Sequence, residues 1–218
     1  MANAIYEQER EDALGSGLGW VAGDFRAVLV KLDSAAGFGI AITDATNATP
    51  IVITCAAAPP TGAVVSISGV LGNLAANGHF RVTNLTGTTF SIQRYLENDN
   101  VAGSGVFDDA DDPVFVRLDG AQFLSDIPGG ARLATLPSSI TGKAIVAAAA
   151  DCDNWTWLAV GPDGGNDGDA VVVYEDTGVE GTSELLLIVT IATGLPVIPN
   201  GGDITFVVSS GVHKLFRF

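Results

Sequence analysis

The sequence predicts a mainly β protein: an antiparallel β-sandwich or barrel-like body with a short N-terminal helix, into which a small all-β module is inserted. Two long apolar runs near the C-terminus, Ala170-Val-Val-Val-Tyr174 and Leu185-Leu-Leu-Ile-Val-Thr-Ile-Ala192, are rich in branched residues and bounded by turn signals. Neither run alternates cleanly, so both faces of these strands are expected to be covered. Residues 40–107 then differ in texture, with few acids before Glu97 and much Thr, Ala, Asn and Gly. That break reads as a module with its own composition.

In chain order, residues 3–18 carry Ile5, Tyr6, Ala13 and Leu14 at helical spacing, and Gly15, Gly17 and Gly19 end the pattern. A strand follows from Phe25, with Phe25, Ala27 and Leu29 on one face. Within the module, strands are expected at 51–54, 63–67, 79–83 and 89–93, separated by Gly/Asn turns. The acidic run at 108–112 marks its exit, which places the insert at 45–109 and the body at 1–44 and 110–218. The body resumes with strands at 114–118 and 131–135 around a turn-rich segment at 123–128. Residues 140–150 fit helix or strand, the flanking Thr141-Gly142 and Asp151 pointing to strand. Trp155-Thr-Trp-Leu-Ala-Val160 alternates and reads as a half-buried strand, and the chain ends on strands at 205–209 and 214–218.

Composition bounds the function. Ten Lys and Arg against 25 Asp and Glu give a net charge of −15. Without a basic cluster, that excludes nucleic acid and anionic membrane surfaces as partners. Charged residues are only 16% of the chain. A surface so poor in charge favours a buried subunit contact, hence a homo-oligomer with a trimer favoured. Tyr174, Leu186, Ile188, Leu215, Phe216 and Phe218 are the interface residues this reading selects. The first residues lack the apolar core of a secretory signal, and the apolar runs are too short to span a bilayer, so the expectation is a soluble protein made in the cytoplasm.

No constellation for catalysis emerges, and no cofactor is expected. His79 and His213 sit in apolar strand patterns, and Cys55 and Cys152 form no CxxC pair and read as small buried hydrophobes. Glu175 and Asp176 stand in a turn, where such residues serve the backbone. The loop at 163–169 offers carboxylates, but Asp163, Asn166, Asp167 and Asp169 do not follow the spacing of a Ca²⁺-binding loop. A solvated loop is the reading, with a structural Ca²⁺ as its alternative, and the same solvated reading applies to Asp108, Asp109, Asp111 and Asp112.

Several separated segments, in one order, go further: Met1-Ala-Asn-Ala-Ile-Tyr6, Phe25-Arg-Ala-Val-Leu-Val30, Phe123-Leu-Ser-Asp-Ile-Pro-Gly-Gly-Ala-Arg-Leu-Ala134, residues 136–143, Val173-Tyr-Glu-Asp-Thr-Gly178, Ala192-Thr-Gly-Leu-Pro-Val197, Pro199-Asn-Gly-Gly-Asp-Ile204 and His213-Lys-Leu-Phe-Arg-Phe218. Together they resemble a widespread family of tailed-bacteriophage virion proteins, whose shorter members pass almost directly from the first strand to the Phe-Leu-Ser-Asp segment. Residues 48–54, 65–70, Gly72-Asn-Leu-Ala-Ala-Asn-Gly78, 80–83 and 89–92 resemble a second phage module, departing from it at Ala57-Ala-Pro-Pro60. The resemblance implies a virion structural protein without catalytic residues, most simply a capsid decoration (cement) protein partnered by the major capsid protein or other virion proteins. The expected place is the outer surface of the head, with the insert outward, because a charge of −15 is unsuited to a nucleic-acid-filled interior. The alternative is a tail or fibre module that binds a host receptor or glycan.

Overall fold

The computed structural model describes residues 4–5, 19–32, 38–94, 99–110, 113–147, 149–163, 167–190, 192–211 and 214–217. The strands are β1 (Ala4–Ile5), β2 (Phe25–Val30), β3 (Ile40–Ala45), β4 (Val52–Cys55), β5 (Val64–Ser68), β6 (Gly78–Thr86), β7 (Thr89–Arg94) and β8 (Val114–Arg117). They continue as β9 (Arg132–Thr135), β10 (Ala144–Val146), β11 (Ala149–Asp151), β12 (Trp155–Trp157), β13 (Ala170–Glu175), β14 (Leu185–Val189), β15 (Ile204–Phe206) and β16 (Phe216–Arg217). The protein is mainly β, as the sequence predicts. Of the helix expected over 3–18, Ala4 and Ile5 form β1, and the remainder lies outside the described residues.

Two compact units divide the chain, one built from Leu32–Ala121 and the other from Ile5–Lys31 with Gln122–Phe218. The first is a closed barrel in the order β3-β4-β7-β6-β5-β8, and every neighbouring pair in it is antiparallel. Its interior is filled by alternate residues of each strand, among them Ile42, Ile53, Val65, Ile67, Val82, Phe90, Ile92 and Phe115. Phe90 and Phe115 meet edge to face with centroids 5.2 Å apart.

The insert is therefore larger than the 45–109 read from composition. The composition bounds put residues 40–44 and 114–117 in the body, yet β3 and β8 pair with each other through Ile40↔Phe115 and Ala41↔Val114 and close the barrel. The Ile40-Ala-Ile42 alternation carries the signal for β3, but it is short and sits at the composition break. Composition marks where the solvent-facing residues change, whereas the domain edge lies where backbone pairing changes.

The second unit holds a five-stranded sheet in the order β1-β14-β13-β2-β9, a three-stranded sheet β10-β11-β16 and a two-stranded ribbon β12-β15. Ala27 and Leu29 of β2, Val171 and Val173 of β13, and Leu187 and Val189 of β14 share one core with Ala150, Trp155, Trp157 and Phe216 of the smaller sheets. Val28, Val30, Val172 and Ile188 point to the opposite face and are equally buried, which is why these strands show no alternation in sequence. Trp20 ties the layers together. Its ring lies 5.0 Å from Phe25 and 5.6 Å from Phe216, and its Nε1 donates to the Asp151 carbonyl at 3.0 Å. Within 140–150, Ala144–Val146 and Ala149–Asp151 pair as β10 and β11, so the strand reading holds for these residues.

Because β3 and β8 run side by side, the barrel's two chain ends leave together, and the unit carries its own core. The fragment 32–121 is expected to fold alone with one cooperative melt followed by circular dichroism. The fragment 45–109 lacks β3 and β8 and loses Phe115 from the core, so it is expected to show no cooperative transition. Cooperative melting of the shorter fragment, or its absence in the longer one, refutes the revised boundary.

Candidate functional site

The segments that carry the resemblance are joints of the scaffold. In Phe123-Leu-Ser-Asp-Ile-Pro-Gly-Gly-Ala-Arg-Leu-Ala134, residues Leu124–Asp126 make a 3-10 turn. Asp126 Oδ2 accepts the backbone N–H groups of Gln122 and Phe123, each at 2.8 Å, and so fixes the start of that turn. Arg132 opens β9 and reaches back over the turn. Its Nη2 donates to the carbonyls of Leu124 at 2.7 Å and Ile127 at 2.8 Å, and its Nε donates to Ile127 at 2.9 Å. The same guanidinium forks onto Glu180, Nη1 to Oε1 at 2.7 Å and Nη2 to Oε2 at 3.1 Å. Arginine alone presents enough donors in a plane to hold two carbonyls and a carboxylate at once. The hydrogen bond from Arg132 holds the Glu180 carboxyl below its ordinary pKa.

A second ionic joint lies at the start of β2. Arg26 bridges Asp24 at 3.1 Å and Asp176 at 2.9 Å, and the Arg26 hydrogen bond lowers the pKa of Asp24. Asp176 of the Glu-Asp turn is thus committed to an ion pair. Beside it Tyr174 is buried, and burial first, then the Asp176 charge, pushes its hydroxyl up to about 12.

The barrel's Gly72-Asn-Leu-Ala-Ala-Asn-Gly78 is likewise structural. Asn73 is fully buried. Its Nδ2 donates to the carbonyls of Ala45 and Thr46, each at 3.1 Å, and its Oδ1 accepts from Ser104 N at 2.9 Å. Asn77 pairs with Val70 in both directions, at 2.7 and 3.0 Å, in place of a strand neighbour. The two amides knit three loops at one pole of the barrel, where turn propensity alone leaves carbonyls unpaired.

Five of the six residues expected at an interface are taken up by the chain's own packing. Tyr174, Leu186, Ile188, Leu215 and Phe216 are buried within the chain itself, and Leu186, Leu215 and Phe216 belong to the shared core of the body. Phe218 lies outside the described residues. Sequence identifies an apolar residue but not what buries it, and for Leu186, Leu215 and Phe216 the shared core of the same chain does so. The apolar residues left on the surface are others. Ile145 and Val146 are 53% and 46% exposed on β10, a strand that pairs only with β11 among the described residues. Leu158 and Val207 are exposed at the ends of the β12–β15 ribbon, beside the Thr156–Thr205 hydroxyl pair at 2.8 Å. In the barrel, Leu71, Leu74 and Val106 are exposed.

The groups singled out for chemistry are placed as follows. Cys55 and Cys152 are buried. Burial raises both thiol pKa values, that of Cys152 to about 12, and a thiol kept protonated is a poor nucleophile and metal ligand. His79 lies on β6, while His213 is outside the described residues. Asp163 pairs with Lys31 at 2.5 Å and Asp108 Oδ1 accepts Ala110 N at 3.0 Å, so each carboxylate has local work. Asn166, Asp111 and Asp112 lie outside the described residues. Among the described residues no three metal-ligating side chains come together. A scan against protein-family models finds no family that matches the chain, and a search of curated proteins finds no match.

Arg132→Ala strands two carbonyls and a carboxylate, and is expected to cost the body about 3 kcal/mol, a fall of roughly 5–10 °C in Tm. Glu180→Gln leaves the carbonyl bonds intact and is expected to cost a small fraction of that. Equal losses from both variants contradict a backbone-locking role for Arg132. Glu180 and Asp24 both titrate low when folded, so their contribution is complete above the ordinary carboxylate values, 4.5 and 3.8, and is lost as pH falls through the depressed ones. Calorimetry is expected to show Tm falling from pH 4.5 downward, less steeply in Arg132→Ala.

Proposed function

We propose that this chain is a structural component of a bacteriophage particle, a capsid decoration protein that acts by passive reinforcement. The observation that carries the reading is how the motif residues are used. Arg132, Asp126, Asn73 and Asn77 spend their hydrogen bonds on joining turns to strands. A sequence pattern devoted to joints suits a protein whose task is to hold shape under load. The inserted barrel, closed by its own strand pairing, suits a module carried by such a scaffold. The reading assigns no catalytic step, no cofactor and no nucleic acid or membrane partner. Its partners are the major capsid protein or other virion proteins and further copies of the chain, with the outer surface of the head as its place.

Because Tyr174, Leu186, Ile188, Leu215 and Phe216 are buried within the chain, the contact between copies is placed on the exposed apolar residues of the body. The edge strand β10, with Ile145 and Val146, offers backbone pairing and apolar area together. Burying ~800 Å² per partner at ~25 cal/mol per Å² gives a large gross gain before the entropy of association is subtracted. Light scattering is expected to give the wild type a mass of several chains, three being favoured, and Ile145→Lys with Val146→Lys a mass of one chain at unchanged melting behaviour. A wild type that stays single at virion-like concentrations removes the oligomer from the proposal.

Place is tested directly on intact particles with an antibody raised against the barrel, imaged by electron microscopy. Label is expected over the head. Label confined to the tail tip replaces decoration with the receptor- or glycan-binding reading, and an unlabelled particle removes the virion reading altogether.

A further inference from the structure

The alternation of barrel strands sorts its loops onto two poles. β3, β5 and β7 end, and β4, β6 and β8 begin, at one pole, where the segments 46–51, 69–77 and 99–110 gather. The chain enters at Ile40 and leaves after Arg117 at the other pole. The loop-rich pole is therefore the one farthest from the barrel's own attachment points.

At that pole, among the described residues, three large aliphatic side chains face solvent: Leu71, 37% exposed, Leu74, 63%, and Val106, 80%. Their backbones run side by side. Leu71 and Asp108 exchange two hydrogen bonds at 3.1 Å, and Ala75 N donates to Ser104 Oγ at 2.9 Å. Gly72 approaches so closely that a Cβ there would lie 1.9 Å from the Val106 carbonyl oxygen, and a Cβ on Gly105 would lie 2.3 Å from that of Gly72. Asn73 locks the same loops from beneath. A loop held this firmly has little freedom left to lose on binding, so its apolar side chains are displayed in a fixed arrangement rather than folded away.

We infer that this distal pole is a docking surface for a protein partner that presents an aliphatic pocket rimmed by lysine or arginine. Charge selects the occupant. The unit Leu32–Ala121 carries nine acids against three arginines and no lysine. Asp99, Asp108 and Asp109 are exposed at the docking pole, where Arg94 is the one arginine among the described residues. A second copy would bring Asp108 and Asp109 against their like, and an anionic membrane would be repelled by the same residues. Among the described residues no fully exposed side chain of this pole is aromatic, Phe107 being packed against the barrel core. The inference stands on the barrel alone and does not depend on the virion reading.

The test places a photo-crosslinking benzoylphenylalanine at position 74 of the full chain, in the cells or particles that produce it. The control carries it at Gly87, at the opposite pole, where an added Cβ meets nothing within 4 Å. The expected result is an adduct from position 74 and not from 87, joined to a protein segment that carries both aliphatic and Lys/Arg residues. That partner, purified, is expected to bind the full chain with a Kd that rises at least about tenfold on Leu74→Ser with Val106→Ser, and that rises again with added salt. Both substitutions are at exposed positions, so the Tm of the variant is expected to match the wild type, which separates lost docking from lost fold. Adducts to another copy of the chain, to lipid, or none above the Gly87 control overturn the inference. So does a Kd unchanged by the double substitution.

Discussion

The constraint on which this structure depends is the pairing of strand edges. Backbone N–H and C=O groups on an unpaired edge must find water, a neighbour or another chain. The two units meet that demand differently. The barrel removes its edges by joining β3 to β8, so its first and last strands satisfy each other and the unit needs nothing from elsewhere to complete its ladder. The body distributes its strands over a five-stranded sheet and two smaller ones, which cover one another's apolar faces but leave the short strand β10 with one described neighbour. Self-sufficiency in one unit and, among the described residues, a strand with a single neighbour in the other are two answers to the same requirement.

Polar side chains complete what strand pairing leaves undone. Where a turn interrupts a ladder, carbonyls lose their partners, and leaving them buried and unpaired costs about 1–3 kcal/mol each. Arg132 gathers two such carbonyls and is itself anchored by Glu180. Asn73 gathers two more in the barrel, and Asn77 stands in for a missing strand at Val70. These residues form the most distinctive short patterns in the chain. A pattern this specific invites a functional reading, yet the hydrogen bonds of Arg132, Asn73 and Asn77 described above are all made within the fold. The apolar residues left exposed are instead plain ones between the patterned ones, such as Leu74 and Val106, carried on tightly held loops.

The carboxylates illustrate the same division. Asp24, Asp176 and Glu180 are spent on Arg26 and Arg132, while Asp163 is spent on Lys31. Asp99, Asp108 and Asp109 remain exposed at the barrel pole and set the sign of the potential there. The net charge of −15 is thus not one property but two, an internal set that pins loops and an outer set that governs encounters.

By itself the sequence determined the class of fold and most strand positions, because branched apolar runs between Gly, Asn and Pro turns have few other solutions. β13, β14 and β4 to β7 all lie where those runs fall, and the covering of both faces of β13 and β14 was legible in their lack of alternation. Sequence also showed that an insert exists. Only tertiary structure decided its edges, since β3 and β8 are defined by pairing across more than seventy positions of chain, from Ile40 to Phe115, and no local pattern records that pairing. Tertiary structure likewise decided that Tyr174, Leu186, Ile188, Leu215 and Phe216 are core whereas Ile145, Val146, Leu71, Leu74 and Val106 are surface. The physical reason is the same in each case: hydrophobicity is a property of a residue, but burial is a property of what packs against it, and that partner lies far away along the chain.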